Sequence, residues 1–139
     1  MTGHRPQRPA QADGPPPAPG GVARPAPAVL VAAVATPAEA DQAIAAGADM
    51  IDGSGLTDQD VAVLRARHPG VRLWHGSPAA ADADQAGPPA AVVATAAVLA
   101  WLGTPAIRTR HILPVRRAID MTGTIAGTRL PALTTRGLA

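Results

Sequence analysis

Arg108, Arg110 and His111 stand at the end of the run Ile107-Arg108-Thr109-Arg110-His111, just ahead of Pro114. A short strand that ends in cations and runs into a helix aims its guanidinium groups and the helix's free first-turn N–H groups at the same space. That arrangement can hold an anion such as a phosphate. Asp52 ends a second short apolar run and precedes Gly53-Ser54-Gly55. A carboxylate there either caps the loop or meets a ligand. Asp52, His75 and His111 lack the spacing of a metal site, so no metal is expected. Ser54 has no strand-to-helix elbow with a paired histidine, so it is not read as a nucleophile, and no catalytic residue is identified.

Composition narrows the classes. The chain has 139 residues, room for one domain. Apolar residues make up 47%, with no Phe, Tyr or Cys and only two Trp. No lysine is present, so all 12 basic residues are Arg, the bias of a GC-rich coding sequence. A net charge of +2 with scattered arginines and only two aromatics, both expected as core or interface anchors, argues against a nucleic-acid binder. Without cysteine there is neither a disulfide framework nor a thiolate metal site. The N-terminus lacks the apolar segment of a signal peptide. The longest apolar run, 90–102, is too short and Ala-rich to span a bilayer. A soluble cytoplasmic protein is expected.

The elements that must position the candidate residues follow from patterning. Residues 1–27 are Pro, Gly, Ala, Arg and Gln, which bury too little to offset ordering entropy, so a disordered tail is expected. The folded domain then covers 28–127. Residues 28–35 form a continuous apolar run suited to a strand buried on both faces. Thr36-Pro37-Ala38-Glu39 reads as a helix N-terminus, and Gly47 as its stop. A strand over 48–52 leads into the Gly53-Ser54-Gly55 loop. Thr57 and Asp60 form a capping box for a helix in which Val61 and Leu64 face inward; Pro69-Gly70 ends it. Residues 71–74 read as a third strand and 76–89 as a loop or linker. Residues 90–102 predict a helix, 106–109 a fourth strand and 114–126 a last helix with Val115, Ala118, Ile119, Thr122 and Ile125 on one face. A basic tail spans 128–139. Trp74 and Trp101 are expected as core or interface anchors. Alternation of about four strands with helices implies an α/β fold with parallel strands and right-handed crossovers. Four strands do not close an eight-stranded barrel, so the sheet stays open or pairs with another chain.

Two stretches carry a family resemblance. Ile107 to His111, followed by Val115-Arg116-Arg117-Ala118-Ile119-Asp120-Met121 and Gly127-Thr128-Arg129, resembles the C-terminal strand and helix of dihydropteroate synthases, especially actinobacterial dihydropteroate synthase-like proteins. Ala45-Ala46-Gly47-Ala48-Asp49-Met50-Ile51-Asp52-Gly53-Ser54-Gly55 is similar to the family's second strand and the Gly-rich loop after it. The resemblance implies a (β/α)8 barrel and an activity in folate biosynthesis that joins a pterin diphosphate to p-aminobenzoate. It also implies that Asp52 lies near the pterin and that Arg108 binds the diphosphate. Arg110 stands at the family's histidine position, with His111 one step later. An active enzyme would use Mg²⁺.

The chain also departs from that pattern. Of the family's metal-holding loop only Thr36-Pro37 is present. Leu73-Trp74-His75-Gly76-Ser77 lacks the family's third-strand aspartate. The middle strands, with their catalytic-loop lysine, have no counterpart. The sequence therefore reads as a partial TIM barrel with its middle deleted. The expected function is a degenerate pterin- or phosphate-binding relative without full catalysis, with Asp52, Arg108, Arg110 and His111 as its binding residues. The alternative is an active synthase-type transferase. Expected partners are a second copy or a full-length synthase.

Overall fold

In the computed structural model, which describes residues 26–76 and 80–128, the apolar run becomes β1 (Val29–Ala33), the middle of a five-stranded parallel sheet. The other elements are α1 (Pro37–Ala45), β2 (Met50–Asp52), α2 (Asp58–Arg67), β3 (Leu73–Trp74), β4 (Ala80–Asp82), α3 (Pro89–Trp101), β5 (Ala106–Thr109) and α4 (Ile112–Ile125). Across the sheet the order is β3-β2-β1-β5-β4.

That order sorts the helices. The crossovers from β1 to β2, β2 to β3 and β4 to β5 all step the same way across the sheet. Right-handed crossovers then place their helices on one face. The packing agrees: Leu30, Ala32, Ile51 and Ile107 share a single core with Ala40 and Ala43 of α1, Leu64 of α2, Val92 and Ala96 of α3, and Ile112, Val115 and Ile119 of α4. The alternate strand residues, Val31, Ala33, Met50, Asp52, Trp74, Asp82 and Arg108, share the opposite face by register.

Several expectations need correction. A fifth strand, β4, lies inside the stretch 76–89 read as linker, and a 3₁₀ turn over Ala83–Ala86 follows it. Ala-Ala-Asp carries neither β-branched residues nor alternation, and it is a strand because β5 offers it an edge. The Gly53–Gly55 loop is likewise a 3₁₀ turn. Helix α4 starts at Ile112, with Pro114 inside its first turn, where a missing N–H costs no bond. Ile125 is 69% exposed and Val61 only half-buried, so neither belongs to the core. Trp101 is 58% exposed, while Trp74 is half-buried on the helix-free face. The expectations for residues 1–25 and 129–139 lie outside the described residues. Among the described residues, no helix is long and apolar enough to cross a membrane.

Candidate functional site

The C-terminal ends of the strands gather the polar residues, the end where parallel α/β sheets bind ligands. Arg108 leaves β5 on the helix-free face. Its Nε donates to Oδ2 of Asp52 at 2.6 Å and its Nη1 to Oδ2 of Asp82 at 3.3 Å. Because β1 lies between β5 and β2, the arginine side chain must cross β1 to reach Asp52. Ala33, level with Asp52, is small enough to let it pass, and Val31, level with Arg108, is fully buried.

Local structure aims both carboxylates. Oδ1 of Asp52 accepts from the Ser54 amide at 3.0 Å and so opens the 3₁₀ turn over Gly53–Gly55. Asp82 repeats the device, accepting from the Asp84 amide at 3.1 Å. Each aspartate spends one oxygen on its own turn and offers the other to Arg108. Asp52 is 2% exposed. Burial pushes its carboxyl up, but the hydrogen bonds from Ser54 and Arg108 outweigh that and hold it below the usual carboxylate range. The same bond raises the Arg108 guanidinium above its ordinary value, against the effect of burial.

Asp84 anchors the other arginine. It accepts from the fully buried Thr109 hydroxyl at 2.6 Å, the Arg110 amide at 3.0 Å and Arg110 Nε at 3.2 Å. Burial raises its carboxyl, and the bonds from Thr109 and Arg110 overcome this and lower it. The Thr109 hydroxyl in turn accepts from the His111 amide at 3.0 Å. Asp52, Asp82 and Asp84 thus face Arg108 and Arg110, three carboxylates to two guanidiniums.

The four residues singled out in the sequence fall in two places. Asp52 and Arg108 form an ion pair on the helix-free face. Arg110 and His111 line a cavity of about 450 Å³ between α1 and the β5–α4 junction, beside Glu39, Gln42 and the first turn of α4. The α4 N-terminus carries no side-chain cap. The N–H groups of Ile112 and Leu113 have no partner within the helix, as in any first turn.

Sequence reasoning missed Asp82 and Asp84, which lay in the supposed linker; the only available signal was the Asp-x-Asp spacing that suits consecutive turn caps. It also missed Arg116, which ties α4 to the connection between α1 and β2. Arg116 donates to the Gly47 carbonyl from Nε at 2.9 Å and Nη2 at 2.7 Å, and Nη2 also donates to Asp49. Asp49 accepts from the Leu30 amide as well, so this cluster fixes the entry of β1 against α4. His68, at the end of α2, pairs with Asp41 of α1 at 2.8 Å.

Among the described residues, no group of three or more His, Asp or Glu is placed to hold a metal ion. The acidic residues nearest the junction are each engaged by an arginine or a backbone amide, so the Mg²⁺ implied by the resemblance does not fit them. No family model matches the chain, and neither a curated protein nor a solved structure matches it.

Proposed function

We propose that this protein is a degenerate dihydropteroate synthase-like protein, an arc of a (β/α)8 barrel that binds a phosphate-type anion without completing the synthase reaction. The observation that carries this reading is the strand order. In a closed barrel the last strand pairs with the first, and the penultimate strand pairs with the last. The order β3-β2-β1-β5-β4, with α1 to α4 packed into one core on one face, fits a barrel from which middle strands are left out. The residues at the strand ends fit an anion better than a pterin. Arg110, His111 and the uncapped first turn of α4 converge on one cavity. Asp52, the residue assigned to the pterin by resemblance, is occupied by Ser54 and Arg108.

The active-transferase reading has less support. Condensation would need a pterin pocket built from strands beyond the five among the described residues, and a site made of buried polar contacts loses most of its discrimination when they are removed.

Thermal denaturation with inorganic pyrophosphate tests the proposal. A ligand at one hundred times its Kd raises stability by about 2.7 kcal/mol, which for a domain of this size is roughly 10 °C or more in Tm. Arg110→Ala should remove the shift. No shift at millimolar pyrophosphate would reject anion binding.

A further inference from the structure

We infer that Asp84 acts as a built-in competitor for the anion site, occupying Arg110, which an external phosphate would otherwise engage. The inference rests on the anion-binding reading above and adds to it how the site's affinity is set.

The geometry is specific. Asp84 comes from the 3₁₀ turn after β4, a segment at the sheet edge that packs on β5 and α3. Asp82 takes no part, because it meets Arg108 on the helix-free face, away from the cavity. Asp84 meets Arg110, whose side chain is 77% exposed on the rim of the cavity. A contact between an exposed guanidinium and a carboxylate is weak. A phosphate offers more charge and more acceptor oxygens in the same geometry, so it can displace it. The competition has a sign: the Asp84 carboxylate both fills Arg110 and repels an approaching anion. Asp52 takes no part, because it is buried and its other oxygen holds the Ser54 amide.

Binding of inorganic pyrophosphate, followed by calorimetry on the full chain, tests this. Asp84→Asn keeps an oxygen for the Thr109 hydroxyl while removing the charge. It should tighten binding by about threefold to tenfold at low salt, the scale of one exposed ion pair plus one removed repulsion. The gain should shrink at high salt. Arg110→Ala in the Asp84→Asn background should abolish it. If Asp84→Asn fails to fold, Asp84→Ser removes the same charge with a smaller side chain whose hydroxyl oxygen can accept from the Arg110 amide. Wild-type binding that is unchanged or weakened in the folded Asp84 variant overturns the competition and leaves anion binding standing. Absence of binding in wild type and variants alike overturns both. Binding that appears only in the Asp84 variants supports the competition and rejects anion binding by the native chain.

Discussion

Arg108 is the residue whose meaning changed most between sequence and structure. In the sequence it is a cation aimed at a ligand. In the fold it is a strut laid across β1, joining β2 on one side to β4 on the other. Its removal would leave Asp52 buried with one charge-bearing partner fewer. Losing one member of a fully buried pair costs about 3–5 kcal/mol. Arg108 is 29% exposed and Asp52 keeps the Ser54 amide, so about 2 kcal/mol is expected for Arg108→Ala, measured by urea denaturation. Arg108→Ala with Asp52→Asn should recover part of that loss, because no uncompensated charge remains. A double variant less stable than Arg108→Ala alone would count against the strut.

Elements with local signals were legible, and those held only by partners were not. The strand over 106–109 and the helix opened by Thr57 and Asp60 sit where the pattern puts them, and the capping box is complete. Thr36 also caps its helix, but Glu39 reaches back to the Ala35 amide, one residue earlier than a capping box requires. Strand β4 was invisible because three residues of Ala-Ala-Asp hold no period. The site shared that fate: Asp84 and Thr109 are 25 residues apart in the chain, and nothing in sequence spacing links them. One glycine illustrates how tightly the tops of β1 and β2 are joined. A Cβ at Gly55 would lie 2.7 Å from the Val34 carbonyl oxygen, so the turn or the strand end must shift. Gly55→Ala should cost about 1–3 kcal/mol, the range for overpacking, whereas Gly53→Ala, whose nearest neighbour is His75 at 3.8 Å, should be tolerated far better. Similar melting temperatures for the two variants would refute this contact.

At the scale of the whole molecule, acid should act through the aspartates. Asp41, Asp52, Asp60 and Asp84 are all held below the ordinary carboxylate value: Asp41 chiefly by His68, Asp60 by Thr57, and the other two by bonds that overcome burial. The unfolded chain therefore takes up protons more readily than the folded one. The stabilisation is fully present above the unfolded value of about 3.9 and is lost as pH falls through the lowered folded values. Circular dichroism melts should show Tm dropping below about pH 4, with a shallower drop in Asp52→Asn. A Tm that holds or rises on acidification through that range would contradict the assignment.

The position of β1 at the middle of the sheet also bears on how the chain is made. β1 is made before the other described strands, yet one of its two hydrogen-bonding edges is completed by β5, whose register starts at Ala106. Until β5 is made, the nascent chain offers β1, β2 and β3 with that edge bare, a strand of Val-Leu-Val-Ala-Ala open to whatever passes. α4 adds Val115 and Ile119 to the same core only after that. Folding of this sheet thus waits for β5, and a product cut short before residue 106 would carry β1 half-paired, a template for aggregation rather than a smaller folded protein.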